Sequence, residues 1–221
     1  MDRYLLNGFD AMTEGAPFYS FIITYSAHGT YGPDNVVYRA NAEKALALAA
    51  DTPGNCVYAV AGAMETDRFA ADLVARLEQE DLLKDTVLVF YTDHYNKYLM
   101  DDGYIMQLKG ADNANLMLKT DFFLWSADLE PQTVTKVTSS ADILPTLTNL
   151  FGIDTTGGFF VGDDGLSDRG GYVFFGDNSW YDGQTYWTYG TPGGTPERTG
   201  EISRKVTLCN RLLAGDYYNQ E

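Results

Sequence analysis

The sequence predicts an α/β fold, with a central, mostly parallel sheet flanked by helices. Three observations point there. Short apolar runs alternate with stretches of helical periodicity along the chain. The run TVLVFY at 86–91 is continuously apolar after its first residue, as expected of a strand covered on both faces in a parallel sheet. Each of the two histidines directly follows an apolar run, where open α/β sheets place their ligands, beyond the carboxyl ends of the strands.

Residues 18–25, FYSFIITY, are apolar and β-branched and are bounded by Pro17 and by Ala27-His28-Gly29. They read as a buried strand. Residues 36–50 read as a helix stopped by Asp51-Thr52-Pro53-Gly54. Val57, Val60, Ala61, Met64, Phe69, Leu73, Val74 and Leu77 line one face of a long helix, with Glu65, Asp67, Arg68, Asp72, Arg76 and Glu78 elsewhere on it. The loop 81–85 then leads into the 86–91 strand. Residues 121–125, DFFLW, give a third strand and 172–175, YVFF, a fourth. Between these two, 140–151 reads as a helix capped by Ser140 and ended by Gly152, with Pro145 tolerated only near its start. The aromatic stretch 179–191 suggests a hairpin, and 202–213 a terminal helix.

Of the 221 residues, 45% are hydrophobic and 14% aromatic, enough for a packed core and unlike a disordered chain. The formal net charge of −16 argues against nucleic-acid binding, which needs clustered Lys and Arg, and against docking on an anionic membrane surface. No apolar run reaches the length of a membrane span and no secretory leader opens the chain, so a soluble piece is expected. The two cysteines, Cys56 and Cys209, lie far apart and have no zinc-ligand spacing. They read as buried thiols before a long-range bridge.

The chemistry-bearing residues sit after the first two strands. Asp93-His94 offers a carboxylate oxygen and an imidazole nitrogen, a donor mixture that suits a catalytic divalent ion. It reads equally as a capping Asp followed by a surface His. On pattern alone, His28 reads first as a packed or solvent-facing histidine. Asp67 and Asp72 read as solvated, Asp142 as a charge favourable to a helix start, and the loop carboxylates 101–102, 163–164 and 168 have no EF-hand spacing. Trp180 to Trp187 read as packing rather than as a sugar platform. P-loop, GxGxxG, GxSxG and HExxH motifs are all missing.

Three segments together resemble the lipoteichoic acid synthases, phosphoglycerol transferases of the sulfatase and alkaline phosphatase superfamily. PFYSFIITYSAHGTY at 17–31 is similar to that family's strand and Ser-x-His motif. KDTVLVFYTDHY at 84–95 is similar to its strand and Asp-His metal motif, and SADILPTLTNLFGI at 140–153 to its Asp-x-x-Pro-Thr helix. The resemblance spans residues 17–164 and extends more loosely over 165–221 as a closing strand, hairpin and terminal helix. It implies one sulfatase-like domain over 1–221, an alkaline-phosphatase-like sheet incomplete on its N-terminal side. It implies Asp93 and His94 as metal ligands and His28 as a contact to substrate phosphate or glycerol. The implied ion is one divalent metal, Mn²⁺ first, with Mg²⁺, Zn²⁺ or Ca²⁺ as alternatives.

In that family a Thr nucleophile and a Glu ligand precede the Ser-x-His segment. No catalytic residue is therefore assigned within this chain. The nucleophile is expected upstream of Met1, and the chain alone is expected to be inactive, needing a missing N-terminal half or another chain. The implied substrate is a phosphate or sulfate ester, lipid- or polymer-linked, outside the cytoplasm at the cell envelope, with the whole protein membrane-associated or secreted. Alternatives are a sulfatase or a phosphodiester or phosphonate hydrolase of the same superfamily, and a non-catalytic binding module. Thr92, Gly29-Thr30 and the stretch 96–99 depart from the family pattern.

Overall fold

The computed structural model describes residues 2–15, 17–53, 55–95, 102–190 and 196–219. The departure from the family pattern at 96–99 lies outside these residues. The chain divides into two compact units, Met1–Glu130 and Pro131–Glu221.

The first unit is built on two helices, α2 (Val36–Ala49) and α3 (Cys56–Gln79), which pack along one another. Asn35 caps α2 by accepting the Val37 N–H at 2.8 Å. Asn41, buried inside α2, donates across the helix pair to the Ala61 carbonyl at 3.2 Å, and Tyr38 meets Tyr58 edge-on. The apolar stripe read along α3 buries Ala61, Phe69, Leu73 and Leu77. Glu65, placed off the apolar face in the sequence, is buried too. Arg3 and Arg68 reach its carboxylate, each at 3.5 Å, which answers the cost of burying an anion.

A 3₁₀ turn, Asp2–Gly8, runs straight into the short α1 (Phe9–Thr13). Phe9 closes the main core with Phe69, Leu73 and Leu77, and Phe18, Ile22 and Leu88 pack around them. Residues 18–25, read as a buried strand, carry no regular secondary structure. Yet they alternate strictly, even positions turned inward and odd positions exposed, and no ladder pairs them among the described residues. The buried strand expected here is instead a half-covered segment without strand pairing among the described residues.

Strand β1 (Leu88–Tyr91) pairs with β2 (Phe122–Trp125) antiparallel, in the register Leu88↔Trp125 to Tyr91↔Phe122. This corrects the parallel order expected for this pair. The chain leaves β1 at Tyr91 and re-enters at Phe122, directly opposite, so the connection starts and finishes at the same end of the pair. A parallel partner would need a crossover returning to the far end. That connection contains α4 (Asp102–Lys109) and α5 (Ala114–Met117), whose Ile105 and Met117 bury Cys56. Half-buried residues and an exposed Tyr91 show that β1 is not covered on both faces.

In the second unit, the expected helix at 140–151 begins as a 3₁₀ turn, Ser140–Asp142, and continues as α6 (Ile143–Leu150). Its cap is Ser139 rather than Ser140, in a capping box with Asp142. Pro145 falls in the first turn of α6, and Gly152 ends the helix in a left-handed conformation, φ 61°. Asp142 also accepts the Asp163 N–H at 2.7 Å, so it organises the following loop as well as the helix start.

The second sheet is a three-stranded antiparallel meander of β3 (Val173–Phe174), β4 (Trp180–Tyr181) and β5 (Tyr186–Trp187). Helix α7 (Pro196–Ala214) covers it, with Tyr172, Trp180 and Ile202 buried between them. α7 starts six residues before the expected helix. No disulfide forms among the described residues: Cys56 lies in the first unit's apolar cluster, and Cys209 is half-buried on α7.

Candidate functional site

Two chain ends meet at one rim of the first unit. Residues 18–25 run into Ser26-Ala27-His28, and β1 runs into Thr92-Asp93-His94. Phe18, Ile22 and Leu88 pack on the same core, so the two segments lie on one support.

The His28 loop is held from three sides. The buried Asp2 carboxylate accepts the N–H groups of Tyr25 at 2.9 Å and Ser26 at 3.0 Å, and the Thr66 hydroxyl of α3 at 3.1 Å. Behind the loop stands Gly62 of α3, where a Cβ would lie only 2.6 Å from the Ser26 carbonyl oxygen. The helix can back the loop this closely only because it carries no side chain there. A β-turn then closes, His28 N–H donating to the Tyr25 carbonyl at 2.9 Å. The Tyr31 hydroxyl donates to the Ala27 carbonyl at 2.9 Å, and burial pushes that phenol's pKa up.

The turn folds Tyr25 back over His28. Their rings stack with centroids 5.4 Å apart and planes 7° from parallel. The His28 ring lies 6.2 Å from that of His94, at 77°. His94 Nδ1 donates to the Tyr95 carbonyl at 2.6 Å, and His28 Nδ1 makes a close hydrogen bond to the Gly29 carbonyl. A carbonyl oxygen only accepts, so each neutral imidazole carries its proton on Nδ1 and its lone pair on Nε2. His94 Nε2 lies 3.7 Å from Asp93 Oδ1, and the Asp93 side chain is 86% exposed.

Of the residues singled out in the sequence, His28, Asp93 and His94 thus lie on one rim, with His28 beside His94. The donor chemistry of Asp93 and His94 fits a divalent ion. A backbone carbonyl orienting the far nitrogen of a ligating histidine is a common supporting arrangement, and the open Nε2 is next to a solvent-facing carboxylate oxygen. They are two donors only. Among the described residues no group of three His, Cys, Asp or Glu side chains comes together as a cation cage, and catalytic sites of the zinc type use three protein ligands.

Sequence reasoning passed over Tyr25, Asp2 and Gly62. Tyr25 stands three residues before His28, a spacing that a turn converts into contact. Asp2 and Gly62 carry no local signal, because their partners lie 24 and 36 positions away.

The other charged cluster belongs to the second unit. Lys205 of α7 bonds Asp163 at 2.8 Å, Arg169 bonds Asp163 at 2.9 Å, and Glu201 lies beside both cations. Burial works against the Lys205 charge, but the hydrogen bonds it donates to Asp163 and Tyr172 outweigh it and raise the pKa. Every charge in it has a partner, as in a structural ion network.

Two curated relatives are similar to the chain. Lipoteichoic acid synthase from Staphylococcus saprophyticus subsp. saprophyticus is 29% identical over 164 residues, covering 70% of this chain and 24% of the relative. Lipoteichoic acid synthase-like YvgJ from Bacillus subtilis is 24% identical over 173 residues, covering 68% of this chain and 28% of the relative. The chain therefore spans about a quarter of the length of the curated relatives it matches. The protein-family model described as Sulfatase matches residues 1–153, most of the sequence and all of the rim that joins His28 to Asp93-His94, and the chain belongs to the Sulfatase family.

Proposed function

We propose that this chain forms part of a metal-dependent site for phosphoester cleavage or transfer, with Asp93 and His94 as two ligands of a divalent ion, Mn²⁺ first, and His28 as a contact to the substrate's phosphoryl group. The observation that supports the reading is the meeting of His28 and His94 at 6.2 Å, from segments more than sixty residues apart. When bound, such an ion polarises a phosphoryl oxygen and favours the deprotonated form of a hydroxyl nucleophile. The chain's own part is to supply an anionic oxygen from Asp93, to hold the His94 lone pair outward through the Tyr95 carbonyl, and to place the His28 ring beside them. A net charge of −16 draws cations towards the molecule and repels anions. A phosphate ester therefore needs a local positive charge to bind.

The resemblance to lipoteichoic acid synthases favours phosphoglycerol transfer onto a cell-envelope acceptor, outside the cytoplasm, for the whole protein. The single sulfatase-like domain read over 1–221, with its nucleophile contributed by a preceding half, belongs to the same proposal. The family's own description favours a second reading, hydrolysis of a sulfate ester at the same rim.

Isothermal titration with Mn²⁺ tests the site. In the whole protein the wild type binds the ion, and Asp93→Asn or His94→Ala weakens binding about 10-fold or more. His28→Ala keeps the ion but loses affinity for inorganic phosphate added to the Mn²⁺-loaded protein. Wild-type protein that binds no Mn²⁺, or variants that bind it equally well, would overturn the proposal. A loaded protein that takes sulfate over phosphate selects the second reading.

A further inference from the structure

The geometry points to Tyr25 as the positioning residue of His28. The inference deepens the phosphoester reading and rests on it for the importance of His28, but the stack itself is independent of any metal. The imidazole has two restraints. The Gly29 carbonyl engages Nδ1, which fixes the tautomer but leaves the ring free to swing about that bond. The Tyr25 ring runs parallel to it in an offset stack, 5.4 Å between centroids and 7° between planes, which limits the swing. Offset stacks in this distance range add to stability beyond simple burial.

Tyr25 has no other evident task in the fold. Its side chain lies outside the apolar clusters, and the residue is 65% exposed. Its backbone is held by Asp2 through the main-chain N–H, whichever side chain is present. A large aromatic left in solvent and parallel to a rim histidine is placed for that histidine. With Tyr25 fixed by the turn and Asp2, the His28 ring keeps its 77° setting to His94, and Nε2 is the atom left to meet a ligand.

The chain has only two histidines, so imidazole NMR reads His28 directly, with His94→Ala leaving one set of signals for assignment. At alkaline pH, without metal, the wild type is expected to show His28 protonated on Nδ1 and its ring protons shifted upfield by the Tyr25 ring. Tyr25→Phe retains both signatures. Tyr25→Leu, which keeps bulk, and Tyr25→Ala lose the upfield shift. In Mn²⁺-loaded protein these two also lower affinity for inorganic phosphate by about 2- to 12-fold, the worth of one aromatic pair, without changing Mn²⁺ affinity. Leu and Ala variants with wild-type His28 signals and phosphate affinity would overturn the inference. Wild-type protein that shows the upfield shift but binds no Mn²⁺ would sink the proposed function while leaving the stack established.

Discussion

At the scale of single residues, Gly62 decides whether α3 and the His28 loop fit together. By propensity alone, Gly62→Ala stabilises a helix interior by about 1 kcal/mol. Here the new methyl meets the Ser26 carbonyl oxygen at 2.6 Å, and that carbonyl belongs to backbone tied down by the Asp2 carboxylate. The clash wins. We expect a net loss of about 1–3 kcal/mol in urea unfolding, together with displacement of the His28 signals. A Gly62→Ala variant as stable as the wild type would show that the loop yields freely. Residue-scale chemistry was also the most legible part of the candidate site: His28, Asp93 and His94, which the fold brings to one rim, are visible as polar residues placed after apolar runs. What could not be read is the support beneath them. Asp2 looks like any terminal acid, and Gly62 like an incidental break in a helix, until the fold brings each against the same turn.

At the scale of elements, the helices were legible and strand partnership was not. The 3.6-residue stripe gave α3 nearly to its ends, and Gly152 marked the stop of α6, because caps and periodicity are local. The apolar run of β1 has no such guarantee. An antiparallel pair and a parallel one present the same residues, and only the point of re-entry at Phe122 separates them. Residues 18–25 are apolar at nearly every position, so their alternation of exposure could not be seen in residue type. Helix α7 began earlier than read because 196–201 is polar, and its anchoring runs through charge. Lys205 joins α7 to the loop carrying Asp163, and its pKa is raised in the folded state. The stabilisation is complete below the unfolded lysine value of about 10.4 and is lost as pH rises through the higher folded value. Chemical denaturation across this alkaline range should therefore show stability falling in the wild type, and a shallower fall in Lys205→Met. Equal slopes would remove the ion network from the account of how α7 is held.

At the scale of the whole molecule, charge dominates. A net −16 over 221 residues means that compaction brings like charges together, a cost that salt relieves. Raising ionic strength from about 0.01 M to about 0.1 M shortens the screening length from about 30 Å to about 10 Å. The melting temperature should climb over that interval, and a flat or falling trend would mean that local ion pairs outweigh the global repulsion.

The row of Tyr19, Phe21, Ile23 and Tyr25 has a further consequence. These side chains are between 61% and 87% exposed on a backbone that no ladder pairs among the described residues. Apolar, β-prone and without a lysine or an internal proline to interrupt it, this ribbon has the makings of a template for cross-β growth. Crowded solutions of the isolated chain are thus inclined to nucleate fibrils there, and a gatekeeper charge at position 23 is the natural brake.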